Sequence, residues 1–192
     1  MLSPTTELDA INTMLASIGE APVNAVEDSG VVDAVMARNT LRTVSREVQA
    51  RGWHYNTEKD YTLTPSFPEK HLVLPRNVLR ADTVGSYQPI DVVVRGNRLY
   101  DRRRHTFEFD KPVKVDMIVL LDFDELPEAA RLYITLRSSR IFQERVVGSA
   151  DLSQFTMKDE LRALVMMQEH EADTADYNML TDNYAVARVL DR

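Results

Sequence analysis

The chain has 192 residues, 44% of them hydrophobic and 28% charged, with only 6 Gly and 8 Pro. This balance excludes a disordered chain and fits one folded domain, or one domain with a compact insertion. The absence of cysteine rules out disulfides and thiolate metal sites, as a reducing compartment tolerates, and a net charge of −7 argues against a surface that grips nucleic acid throughout.

The first ten residues lack a basic start followed by an apolar run, so no secretory signal is expected, and the apolar runs are too short to span a bilayer. Thr5 or Thr6 can cap a first helix, whose apolar residues Leu8, Ile11, Leu15 and Ile18 recur at three- and four-residue steps. Gly19 and Pro22 should end it, since glycine past the last turn takes the left-handed conformation and proline cannot continue the helix. A second helix is expected from about Asp28 or Ser29 to Arg51, striped by Val35, Leu41, Val44 and Val48 and closed by Gly52. Arg38, Arg42, Arg46 and Arg51 fall mostly off that stripe, as a solvated face would, and basic residues near a helix C-terminus also suit its dipole.

From Trp53 to Phe123 the period changes to short β-prone pieces separated by Pro, Gly, Asn and Asp. Residues 61–64, 72–74 and 78–84 read as the weaker strands. Residues 91–94 and 99–101 form a stronger hairpin across Arg95, Gly96, Asn97 and Arg98, because Gly-Asn supplies the positive φ that tight turns need. Residues 107–109 and 113–121 suggest another hairpin across Asp110, Lys111 and Pro112, with Val113, Val115, Met117 and Val119 alternating with polar neighbours before the run turns apolar. After Asp124 the helix period returns, with Pro127 in a first turn and Leu132, Ile134, Leu136, Ile141 and Phe142 facing inward until Gly148. A last helix over residues 153–176 uses Phe155, Leu161, Leu164, Val165 and Met167, and its second half is acidic through Glu169, Glu171, Asp173 and Asp176. The expected class is therefore α+β in one domain. Helices over 1–52 and 124–176 pack into a bundle around a strand-rich insertion at 53–123, with a tail at 177–192.

The chain contains no G-x-S-x-G, P-loop, dinucleotide glycine fingerprint or H-E-x-x-H. His54, His71, His105 and His170 have no ligand spacing, so neither a metal nor a cofactor is expected. Asp122, Asp124, Glu125 and Glu128 form the best catalytic candidate, because glycoside hydrolysis needs two carboxyl groups held apart with different pKa values. Acids at a helix start also relieve unpaired N–H groups and favour the dipole, which accounts for the cluster without catalysis. Arg95, Arg98, Arg102, Arg103 and Arg104, interleaved by Tyr100, are the densest basic patch. A solvated tip or a protein contact suits them, since the guanidinium fork pairs with carboxylates, and the acidic residues Glu169, Glu171, Asp173 and Asp176 offer a match on a neighbouring subunit. Trp53, the only tryptophan, reads as a core anchor at a helix-to-strand junction.

Two stretches are rarer than ordinary helix grammar: ASIGEAPV at residues 16–23 and SREVQARGWHYN at residues 45–56. In order with DFDELPEAARLYI at 122–134 and YNML at 177–180, they resemble tail tubular protein A, the head-to-tail adaptor or gatekeeper family of short-tailed autographivirus-type bacteriophages. The resemblance runs from about Leu8 to the C-terminus, and residues 65–89 align least. It implies a structural virion protein without enzymatic activity, assembled in the host cytoplasm as a ring of twelve copies. Such a ring lies beneath the portal, receives the six-fold nozzle of tail tubular protein B type, helps retain the packaged genome and leaves a channel for its ejection. A net charge of −7 permits a conduit whose wall repels DNA. The resemblance places the bundle in the ring wall, with the β insertion and residues 177–192 as contact regions. A second reading is a tail-associated hydrolase of a bacterial surface polysaccharide, carried by the cluster from Asp122 to Glu128.

Overall fold

The computed structural model describes residues 4–26, 32–87 and 89–174. The chain divides into two compact units, Met1–Leu41 with Pro127–Arg192, and Arg42–Leu126. The division falls within one helix. Among the described residues, four helices and two small antiparallel sheets make an α+β protein with its strands in the middle of the chain.

In the first unit, α1 (Glu7–Ala16) starts at Thr6, whose Oγ1 accepts from the Asp9 N–H at 3.2 Å while the Asp9 carboxylate accepts from the Thr6 N–H at 3.0 Å. This reciprocal cap satisfies two backbone donors, and its hydrogen bonds hold the Asp9 pKa below its ordinary value. Gly19, at φ +84°, ends the helix: the Glu20 N–H donates to the Leu15 carbonyl and the Gly19 N–H to that of Ala16. The Asn12 amide then pins the following loop, donating to the Val23 carbonyl at 3.0 Å and accepting from the Val23 N–H at 2.8 Å.

Helix α3 (Glu128–Val146) packs against both α1 and α4 (Ala150–Thr174). Its polar residues clasp α1 at both ends. The Glu128 carboxylate accepts from the Thr5 N–H and hydroxyl, Arg131 donates to the Thr5 carbonyl at 2.7 Å, and Gln143 donates to the Ser17 carbonyl at 2.9 Å. Ile134 and Phe142 are buried as expected, but Leu132 is exposed and Leu136 and Ile141 are only half-buried. On α4 the inward residues are Glu160, Ala163 and Met167, while Leu161 and Val165 face outward. The reason is ionic: the Glu160 carboxylate is held by Arg137 at 3.0 Å and Arg140 at 2.5 Å, both from α3. Glu160 and Glu144 raise the Arg140 pKa against the opposing effect of burial.

Helix α2 (Val32–Gln49) crosses the division, and its expected start at Asp28 or Ser29 lies outside the described residues. Its buried stripe is Ala34, Ala37, Leu41, Val44 and Val48, so Val35, expected inside, is on the outward face.

In the second unit, β1 (Thr57–Leu63), β5 (Val113–Val119) and β2 (Val78–Thr83) form one antiparallel sheet in the order β1–β5–β2. Strand β3 (Val92–Arg95) pairs with β4 (Arg98–Asp101) across the Gly96-Asn97 turn, as expected. The expected hairpin of residues 107–109 with β5 does not form, because β1 and β2 occupy both edges of β5. Glu108 instead bridges His71. Strand β1 also begins four residues earlier than expected, through an irregularity at Asp60, whose φ is +55° and whose N–H donates to the Asp116 carboxylate. Leu63, Leu72, Leu74, Leu99, Phe109, Val113 and Val115 lie in the common core of this unit.

Candidate interaction surfaces

The stretch SREVQARGWHYN proves to be a structural clasp. Gln49 is fully buried at the end of α2, and its amide behaves as an extra strand residue. It accepts from the Leu121 N–H at 2.8 Å, donates to the Leu121 carbonyl at 3.0 Å and donates to the Ser45 hydroxyl at 3.0 Å. Asn56, also buried, donates to the carbonyls of Gln49 and Val119, both at 2.9 Å, and accepts from the Trp53 N–H at 2.8 Å. Two side-chain amides therefore satisfy backbone groups where β5 runs out, groups that would be costly to bury unpaired. Gly52 is required twice over: its φ is +78°, and a Cβ there would lie 2.6 Å from Ile118 Cδ1. Trp53 is half-buried and its indole N–H donates to the Val48 carbonyl at 2.8 Å, so it anchors this junction.

The arginine patch is ordered by aromatic rings. Arg95 lies over Tyr100 at 3.7 Å from the ring centroid and Arg98 over Phe107 at 4.5 Å, and Phe107 also meets Tyr100 edge-on. An Arg98 Nη1 approaches His71 Nδ1 at 3.3 Å. Arg102 faces Asp91 at 3.6 Å. Asp101, nearly buried, accepts from the backbone N–H groups of Arg103 and Arg104 at 2.8 and 2.9 Å, fixing a turn that holds both side chains out to solvent. A recess of about 300 Å³ beside it is lined by Tyr87, Ile90, Phe109, Arg104 and Lys111 among others. Arg95, Arg98 and Arg102 have close intramolecular partners, and Arg103 with Arg104, whose charge also acts on Asp110, forms the outward edge.

The acidic residues separate into caps and a charged helix end. The Glu125 carboxylate accepts from the Asp122 N–H at 3.1 Å, closing a short 3₁₀ turn (Phe123–Glu125), and Glu128 is engaged by Thr5. Only Glu125 thus acts at a helix start, that of the short turn; α3 itself receives no side-chain cap, and Glu128 instead holds Thr5 ahead of α1. Glu169 and Asp173 are exposed near the end of α4, Glu171 is half-buried there, and Asp176 lies outside the described residues. Among the described residues, no group of three or more histidine or acidic side chains could hold a metal, and no helix is long and apolar enough to cross a membrane. The buried amides and Glu160 escaped the sequence reading. Their one visible signal is that Gln49 and Glu160 occupy inward helical positions, where a polar residue needs a partner.

The sequence also matches known proteins. A family model described as tail tubular protein matches residues 8–177. The tail tubular protein A of Klebsiella phage KP34 is 28% identical over 166 residues, covering 85% of this chain and 86% of that protein. With the family model spanning nearly the whole chain, this protein belongs to the tail tubular proteins, structural components of the bacteriophage tail.

Proposed function

We propose that this chain is the head-to-tail adaptor of a short-tailed phage. In this reading it forms a ring, twelve-fold in the closed state, between the portal and a nozzle of tail tubular protein B type. The ring helps retain the packaged genome and forms part of the channel through which DNA leaves, without reading its sequence. The chain acts mechanically, without an enzymatic step, and assembles in the host cytoplasm before residing in the virion.

The carrying observation is the family match over residues 8–177 together with similarity to a tail tubular protein A over 85% of the chain. A net charge of −7 agrees with a channel wall that does not retain DNA. Two surfaces suit contact with subunits or tail partners. One is the arginine edge, in which Arg95 and Arg98 are stacked, Arg102 is paired, and Arg103 and Arg104 present forks to carboxylates. The other is the acidic end of α4 at Glu169, Glu171 and Asp173. Reversing the charges of Arg102, Arg103 and Arg104 tests the first. Weaker, salt-altered attachment of purified chain to portal or nozzle is expected, and unchanged attachment would remove this edge from the interface.

A further inference from the structure

The charge on α4 runs against the helix dipole. Glu169 and Asp173 stand near its C-terminus, where backbone carbonyls are already negative, and no basic residue occupies the last turn. The same helix exposes apolar side chains just before them. Met157, Leu161 and Val165 are each about half exposed, at 53%, 52% and 51%. Glu169 and Asp173 continue them at four-residue steps, a row that winds about 40° round the helix per step, so that Leu161, Val165 and Glu169 share one face and Asp173 stands at its edge. Beside the row, Leu132, Leu136, Ala163 and Met166 help line a recess of about 240 Å³ that could receive an apolar knob.

Helix α2 carries the counterpart. Its outward face begins with Val32, Val35 and Met36, exposed at 70%, 39% and 44%, and continues to the exposed Arg42 and Arg46. Both helices therefore read apolar first and charged second, and the charges are opposite. In each helix the two patches are centred about ten residues apart, roughly 15 Å at 1.5 Å per residue. Two helices lying nearly parallel would set Val35 against Leu161 and Val165, and Arg42 and Arg46 against Glu169, with Asp173 at the edge of the contact.

We propose that the outward face of α2 in one copy packs in parallel on the α4 row of the next copy. The contact joins two different faces, so it is head-to-tail and can close into a ring. This inference deepens the oligomeric reading under Proposed function and rests on it.

The experiment uses the full chain, alone and with portal, followed by native mass spectrometry and equilibrium sedimentation. Glu169→Arg with Asp173→Arg should weaken self-association at least tenfold. Adding Arg42→Glu and Arg46→Glu to the same chain should restore it. Because the chain has no cysteine, a mixture of Val35→Cys and Leu161→Cys proteins provides a second readout. The mixture should form a disulfide-linked dimer under mild oxidation, which neither protein forms by itself. Thermal unfolding of each variant checks that it is folded. Assembly unaffected by the charge reversal, rescue by Arg103→Glu with Arg104→Glu instead, or no mixed crosslink within an assembled ring would each overturn this interface while leaving the ring intact. A chain that stays monomeric with and without portal would overturn the ring reading and the interface together.

Discussion

Replacing Gln49 by alanine should break the clasp between the end of α2 and the end of β5. The substitution removes three hydrogen bonds and leaves both backbone groups of Leu121 without their partner in a part-buried site. Each orphaned group costs about 1–3 kcal/mol, and the lost side-chain packing adds to this, so the total is about 3–5 kcal/mol. That is a large share of the roughly 5–15 kcal/mol that holds an ordinary domain folded. Gln49→Leu keeps most of the volume and should cost about 2–4 kcal/mol, isolating the polar contribution. Urea unfolding followed by the emission of Trp53 is the natural assay, because this single tryptophan is bonded to the last turn of α2. The midpoint for Gln49→Ala should fall by at least about 1 M, given a slope of about 1–3 kcal/mol per M. A loss under about 1 kcal/mol with an unchanged slope would refute the clasp as a major source of stability.

Gly52→Ala should cost about 1–3 kcal/mol, since it incurs both a left-handed backbone and a 2.6 Å approach to Ile118, whereas Gly19→Ala, with open space around it, should cost only about 1 kcal/mol. Equal losses in chemical unfolding would show that Ile118 yields freely. Glu160→Gln should lower the thermal midpoint by roughly 5–10 °C, because Arg137 and Arg140 lose their shared counter-charge at a mostly buried site; no shift would mean that solvent screens the cluster fully. The Asp9 carboxyl should titrate below 3.8 by NMR, its capping contribution complete above 3.8 and lost as pH falls through the lower folded value. Thr6→Val should bring the midpoint only part of the way back, because the backbone N–H of residue 6 still donates to Asp9, and a midpoint of 3.8 or above in the unmodified chain would contradict the cap.

Features carried by local chemistry were legible in the sequence. Thr6, Gly19, Gly52 and the Gly96-Asn97 turn each act through their own backbone or a neighbour within a few residues, so pattern and position suffice. Features set by distant partners were not. Strand β5 looked like half of a local hairpin, yet its partners begin at Thr57 and Val78, and only the folded register shows that both its edges are taken. The inner face of α4 was misplaced because Leu161 and Val165 are apolar, whereas the helix turns Glu160 inward to meet two arginines on α3. The arginine patch was visible as composition. Its ordering depended on Phe107, which only the fold brings under Arg98. In the junction stretch the glycine and tryptophan were apparent, but the roles of the buried amides Gln49 and Asn56 were not, because their backbone partners Leu121 and Val119 lie more than sixty residues away in the chain.

The adaptor reading meets its most direct test in the native mass of the purified chain, measured alone and after addition of portal, with electron-microscope class averages of the same samples. The account predicts a closed ring of the chain bound to portal, twelve-fold in the averages. A chain that neither assembles by itself nor binds portal would contradict it.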